Sequence, residues 1–289
     1  MMSIRQITGL SEVASGFDGF ILDLWGVIHD GVEAYPGARD TLVALRAAGK
    51  QTLLLSNAPR RADALVEQLA RMGIGRELYD HVLSSGEAVH MELARRTDPF
   101  YAALGRQIYH MGPERDENVF AGLDLVAVDI DHADFILNTG PWDLTETVED
   151  YVPKMRAGLA RNLPMICANP DHVVIRQGQP VVCAGALAAR YAEMGGVVSM
   201  RGKPDPAIYD NALELLGLSR NRVLAVGDAL HTDVKGANGA NLRAVFVTQG
   251  IHAAELGIRP GETADADTLR QVVARHGERP LAAIPTFRW

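Results

Sequence analysis

Five polar residues stand where chemistry could be done, three of them at the ends of apolar runs. Asp23 closes FIL, Ser56 closes QTLLL and Asp228 follows RVLAVG, while Lys203 lies in RGKPDP and Asp233 in GDALHTD. Any one of them reads equally well as a turn residue or a helix cap. Together they compose a site suited to phosphoryl transfer. Asp23 and Asp228 supply the hard oxygen ligands that Mg²⁺ takes alongside a substrate phosphate. The cation relieves repulsion between an anionic nucleophile and an anionic substrate. Asp23 is then placed to attack phosphorus and form an aspartyl-phosphate. Ser56 and nearby backbone N–H groups hold the equatorial oxygens, and Lys203 neutralises their charge. Asp233 orients Lys203 or a metal-bound water.

Other chemistries lack their signatures. No GxGxxG follows a strand, no GxxxxGK[ST] occurs, and no serine sits in GxSxG. The nine histidines are scattered, with none paired at metal-ligand spacing, so a zinc hydrolase is not expected. Single histidines such as His90 and His276 read as surface or packed side chains.

The elements that must carry these residues alternate. FILDL and QTLLLSN read as strands, ARDTLVALRAAG and ADALVEQLARMG as helices, with Pro36 and Gly37 opening the first helix, Gly49 closing it and Gly73 stopping the second. The strands are apolar throughout, which fits a parallel sheet covered by helices on both faces. The same texture returns late in the chain: PAIYDNALELLGL reads as a helix, RVLAVGD and RAVFVTQ as strands, and DVKGANGAN as a small-residue helix between them. The intervening segment differs, with short strand candidates (QIYHM, DLVAVDI, DFILNTG, PMICANP) and helices across TETVEDYVPKMRAGLARN and GALAARYAEMG. The expected architecture is therefore α/β, a doubly wound parallel sheet with an inserted α/β cap: core 1–104, cap 105–195 and core 196–289. In such a sheet ligands bind beyond the carboxyl ends of the strands, so Asp23, Ser56 and Asp228 should converge on one crevice.

Composition limits the partners. A formal charge of −8 and a pI near 5.6 argue against neutralising nucleic-acid phosphates or binding anionic lipid. The expected partner is a small phosphorylated metabolite, with no nucleic acid and no membrane; a homodimer is left open. Cys167 and Cys183 are too few for a disulfide framework and fit reduced thiols. MMSIRQITGLSEVASG has no apolar core with a cleavage site, and no run reaches about 18 uninterrupted apolar residues. A cytoplasmic location is expected.

The order and wording of these motifs resemble the haloacid dehalogenase (HAD) superfamily of hydrolases. DLWGV at 23–27 is similar to its first motif, LLLSN at 53–57 to its second, GKPDP at 202–206 to its third and GDALHTD at 227–233 to its fourth. The lid between the second and third motifs, carrying ANPD at 168–171 before a GALAAR-type helix, resembles the type IIA, NagD-like branch. The resemblance runs from Phe17 to about Gly250. It implies a Mg²⁺-dependent phosphatase with Asp23 as nucleophile, Ser56 and Asn57 as the phosphate-binding pair, Lys203 as charge stabiliser, and Asp228 with Asp233 as metal-side acids. It also implies the backbone carbonyl of Trp25 as a metal ligand.

Trp25 departs from the family pattern, which has an aspartate there to protonate the leaving oxygen and activate water. The backbone role survives the change and the side-chain role does not. General acid–base help is worth about 10²–10⁴-fold, so acyl, anomeric or aryl phosphates would suffer least. His29 and Asp30 in VIHDG could supply the lost proton, against plain readings as a surface histidine and a turn residue. Superfamily members with a non-acidic residue here include dehalogenases and phosphonate-cleaving enzymes, although the lid weighs against both. A non-catalytic or regulatory phosphate-binding relative is the alternative. In the lid, Asn138, Trp142, Asp143, Asn169 and Asp171 could face the core or serve as Asx turns and a packed indole. Arg60 and Arg61 could attract an anion or simply begin a solvated helix.

Overall fold

Apolar residues on both sides of a strand require cover on both sides, and the chain provides it. The computed structural model describes residues 4–176, 179–259 and 261–289; Met1–Ser3, within the stretch expected to carry no leader, lie outside the described residues. Seven parallel strands form the main sheet in the order Arg5–Gln6, Ala282–Ile284, Arg243–Val247, Val223–Gly227, Gly19–Asp23, Gln51–Ser56, His81–Ser84. Alternate side chains divide between two apolar layers. Phe20, Leu22, Leu54, Leu224 and Val226 pack with Leu42, Leu45, Leu65 and Leu69 from helices Ala38–Ala47 and Ala62–Arg71. Ile21, Leu53, Leu55, Val223 and Ala225 meet Ile208, Ala212, Leu213 and Leu216 of helix Pro206–Leu216 on the other face. The fold is thus a doubly wound parallel α/β sheet.

Local chemistry sets the helix ends. Asp205 accepts a hydrogen bond from the Ala207 N–H at 3.0 Å and Pro206 occupies the first turn, where its missing N–H costs nothing. Gly37 precedes Ala38 at φ 83°, a left-handed conformation that a β-carbon disfavours.

A second parallel sheet runs Val198–Met200, Met165–Cys167, Phe135–Asn138, Gln107–Met111, Val126–Ala127. The expected DLVAVDI strand shrinks to its exposed two-residue edge. Val173–Arg176 and Gln179–Val182 pair antiparallel as a separate hairpin.

The expected cap limits of 105 and 195 cut through this packing. Val198–Met200 pairs with Met165–Cys167, so the second sheet continues to Met200. Val89 and Leu93 of helix Ser85–Arg95, with Tyr101 and Leu104, share an apolar cluster with Ile108, Phe135 and Leu137. The same helix sends Ala88 to the main core, and this double-sided packing hides the junction. No helix among the described residues is long and apolar enough to cross a membrane.

Candidate active site

Strand Gly19–Asp23 lies between Gln51–Ser56 on one side and Val223–Gly227 on the other, where the strand order reverses. Open parallel sheets leave a crevice at such a switch point, beyond the carboxyl ends. Asp23, Ser56 and Asp228 stand at its mouth. A cavity of about 120 Å³ is lined by these three together with Trp25, Asn57, Asp171, Lys203 and Asp233.

Lys203 is the hub. Its buried Nζ donates to Asp23 Oδ1 at 2.5 Å and to Asp233 Oδ1 at 2.7 Å. Burial alone would lower the lysine's proton affinity, but the facing carboxylates Asp23 and Asp233 raise it well above the ordinary value, so the ammonium stays charged. Asp233 spends its second oxygen on the Ala229 N–H at 3.0 Å, and its carbonyl accepts from the Tyr209 hydroxyl at 2.9 Å. Both of its carboxylate oxygens are thus occupied.

Asp23 and Asp228 keep an oxygen open. The second oxygen of Asp23 accepts no hydrogen bond among the described residues; Asp228 accepts from the Ile251 N–H at 2.7 Å through Oδ2 alone. Carboxylate oxygens of Asp23, Asp228 and Asp233 lie within 4.8 Å of one another. Asp171, half-buried, adds a fourth carboxylate to the same cavity. Four acids against one ammonium leave negative charge without a counter-charge. Burial first, then Asp233, raises both Asp23 and Asp228, the latter to about 7 despite the Ile251 N–H. Hard oxygen donors with this surplus fit a divalent cation such as Mg²⁺.

Backbone comes close to these acids. A β-carbon on Gly26, at φ 75°, would lie 2.0 Å from Asp228 Oδ2 and one on Gly250 would lie 1.9 Å from it. Only bare glycine backbone lets the loops after Asp23 and after strand Arg243–Val247 approach that carboxylate.

The polar pair after the second motif separates into two functions. Ser56 Oγ accepts from the Ala58 N–H at 3.1 Å, which leaves its own proton free to donate. Asn57 donates to Asp171 Oδ1 at 2.8 Å and to the Lys203 carbonyl at 3.0 Å, and accepts from the Lys203 N–H at 2.7 Å. Its amide has no donor left for a phosphate, so the side chain ties the lysine loop and the lid to the core.

The remaining candidates sort by their partners. His29 is buried rather than superficial; its Nδ1 accepts from the Gly31 N–H at 2.9 Å, and burial pushes the imidazole down to about 4. It is neutral near pH 7. Asp30 Oδ1 accepts from Val32 and Glu33 N–H groups at 2.9 Å each, an Asx turn. The indole of Trp25 packs edge-on to His29, and its tip covers Gly31, where a β-carbon would fall 2.0 Å from the ring. Arg61 makes two hydrogen bonds to Glu87, at 2.6 and 3.1 Å, and Arg60 lies 3.3 Å from buried Asp116, so although Arg61 caps helix Ala62–Arg71 neither side chain is left to solvent alone. Of the lid residues, Asp171 reaches the core. Asn138 donates to the Ala184 carbonyl, Asn169 and Asp143 hold turns, and Trp142 stacks on Tyr151.

Sequence reasoning missed Tyr35, His231 and the Gly250–Ile251 turn, all lining the cavity. The turn had a signal: it follows the apolar RAVFV run much as Asp228 follows RVLAV. Tyr35 and His231 had none.

Known proteins share this arrangement of chain. Residues 20–126 match the haloacid dehalogenase-like hydrolase model, and 200–272 match a HAD-hydrolase-like model. A hydrolase of the haloacid dehalogenase-like family from Brucella suis 1330 superposes with a TM-score of 0.84 at 32% identity, covering 97% of this chain and 99% of that one. The chain belongs to the haloacid dehalogenase-like hydrolase family. This HAD-family chain is also similar to a 4-nitrophenylphosphatase from Thermotoga maritima, with a TM-score of 0.71, 25% identity, and 95% and 96% of the two chains covered. An acid sugar phosphatase from Staphylococcus aureus is 23% identical over 242 residues, 83% of this chain and 89% of that protein.

Proposed function

We propose that the protein is a Mg²⁺-dependent phosphatase that hydrolyses a small phosphorylated metabolite through a phosphorylated Asp23. The observation that carries this reading is Lys203 held between Asp23 and Asp233, with the open oxygens of Asp23 and Asp228 facing the same cavity. The open Asp23 oxygen attacks phosphorus as the ester P–O bond breaks and the leaving oxygen departs, and water then cleaves the aspartyl-phosphate to release inorganic phosphate. Lys203 holds charge beside that oxygen, and Ser56 Oγ–H donates to a phosphoryl oxygen. Asn57 contributes its backbone rather than its amide. Asp23, Asp228 and the Trp25 carbonyl would hold Mg²⁺, which supplies charge neutralisation for the anionic substrate. Asp233 keeps Lys203 in line from behind. The phosphatase names of the Thermotoga maritima and Staphylococcus aureus relatives support the reaction class.

In this reading residues of about 85–200 form the lid, and the rest forms the core. Neither His29 nor Asp30 replaces the acid that Trp25 displaces, because His29 is neutral and Asp30 is committed to its turn. Turnover should therefore favour leaving groups that depart without a proton. The same gap favours a second reading, a non-catalytic phosphate-binding relative. A panel of aryl, acyl and alkyl phosphates assayed with and without Mg²⁺ separates them. Metal-dependent release of phosphate from aryl and acyl esters is expected; no release from any member would support the binding protein.

A further inference from the structure

A second cavity, of about 110 Å³, adjoins the first and shares Trp25 and Val174 as walls. It lies between the core, which contributes Arg60, and the lid, which contributes Arg115, Asp116, Asp143 and Arg176. Three guanidiniums meet two carboxylates, an excess of one positive charge in a chain whose net charge is −8.

The acids do not satisfy the arginines. Asp116 is buried and carries the nearest contact, 3.3 Å from Arg60 Nε, yet neither that N–H nor Asp116 Oδ1 makes a hydrogen bond among the described residues. Arg115 stands 4.0 Å from the same oxygen. Asp143 commits Oδ1 to the N–H and hydroxyl of Thr145 at 2.9 and 2.8 Å. Burial lowers the proton affinity of Arg60, Asp116 opposes that shift, and Arg115 and Arg176 add to it. Like charges face one cavity from both core and lid, with donors to spare. Guanidinium forks of this kind match the planar oxygens of a carboxylate or phosphate.

We propose that this cavity receives a second anionic group carried on the leaving-group half of the substrate, so that the preferred ligands are phosphomonoesters bearing a distal carboxylate or phosphate. The proposal rests on the phosphate site assigned to Asp23, Ser56 and Lys203. With the phosphoryl group there, the rest of the molecule passes Trp25 and Val174, and its far end meets Arg60 and Arg176. Binding at a distance from the reacting bond offers a means of orienting the ester where Trp25 offers no proton to the departing oxygen.

The test measures binding, so it does not depend on turnover. Alkylphosphonates with two to five methylenes, ending in a carboxylate, a carboxamide or a second phosphonate, are titrated calorimetrically into the Mg²⁺-loaded protein. At one or more chain lengths the carboxylate or the second phosphonate should bind roughly tenfold or more tightly than the amide, the span of one charge-assisted hydrogen bond. Whichever anion gains more identifies the group. Arg176→Gln should shrink that ratio and Arg176→Glu should bring it to one or below. Arg60→Gln should also shrink it; should loss of the Asp116 contact unfold that variant, the hairpin residue Arg176 still decides. Equal binding of anion and amide at every length, or a ratio untouched by both Arg176 variants, would overturn the proposal. Release of phosphate from phenyl phosphate, measured separately, judges the phosphatase reading alone.

Discussion

Two cavities share the wall formed by Trp25 and Val174, and their charges are opposite. The first gathers Asp23, Asp171, Asp228 and Asp233 around one lysine; the second gathers Arg60, Arg115 and Arg176 around two acids. The first is built at the ends of parallel strands, whose hydrogen-bonded register fixes where the carboxylates point. The second is built from loops, a short turn and a hairpin contributed by both core and lid. Rigid strand ends suit chemistry that tolerates little displacement, whereas a seam between two packed units suits selection among substrates. Trp25 stands at the junction of the two.

The largest effect should come from Trp25 itself. Trp25→Asp restores a side-chain acid beside the cavity and should raise kcat/KM for alkyl phosphates by about 10²–10⁴-fold, with a much smaller gain for aryl phosphates. Steady-state kinetics on matched esters measures the asymmetry. An equal gain on both classes would mean that the indole does not stand where the acid is needed. Removing a half-buried tryptophan also loses packing against His29 and Gly31, so the melting temperature is checked first.

Next in size is the lysine that distinguishes the acidic cavity. Lys203→Met leaves Asp23 and Asp233 facing one another with no counter-ion, and breaking a buried pair in this way costs about 3–5 kcal/mol. Urea unfolding without metal should show the full loss, and Mg²⁺ should restore part of it. An unchanged midpoint would remove the ion-pair hub from the description.

Metal binding should be smaller. At 100 times its dissociation constant Mg²⁺ stabilises the folded chain by about 2.7 kcal/mol, and Asp228→Ala should abolish most of that shift. Equal thermal shifts in the two proteins would place the metal elsewhere.

The smallest effect belongs to the lid. Burial pushes His110 from 6.5 down to about 4, with Nε2 2.9 Å from Thr139 Oγ1. Between these values the unfolded chain binds a proton that the folded chain refuses, so stability falls as pH drops from 6.5 toward 4. His29 shifts in the same direction. His110→Gln should flatten part of the pH dependence, read as unfolding midpoints at pH 4.5 and 7; an unaltered slope would show that the ring is solvated.

The contrast between the cavities also marks what the amino-acid sequence reveals. Apolar runs ending in one polar residue are local signals, so strands Gly19–Asp23, Gln51–Ser56 and Val223–Gly227 and the residues at their ends are legible in the sequence. Partnerships across the fold were not. Asn57 holds the Lys203 loop from 146 residues away, and nothing near Asn57 in sequence says so. Arg60 faces Asp116 of the short helix Glu114–Val119, and nothing near Arg60 in sequence marks that approach. The edges of the lid are hard to read in sequence because helix Ser85–Arg95 packs against both apolar clusters and strand Val198–Met200 is only three residues long. Burial of His29 was equally hidden, since a histidine in a turn reads as exposed until the loop folds back over it.

Phosphorylation of Asp23 is the central claim, and acid-quenched mass spectrometry after mixing the protein with phenyl phosphate tests it most directly. One phosphoryl group should appear in the presence of Mg²⁺, map to the peptide carrying Asp23, and be absent when the metal is chelated and in Asp23→Asn. Phosphate release that continues in Asp23→Asn, or a phosphoryl group that maps to any other residue, would contradict it.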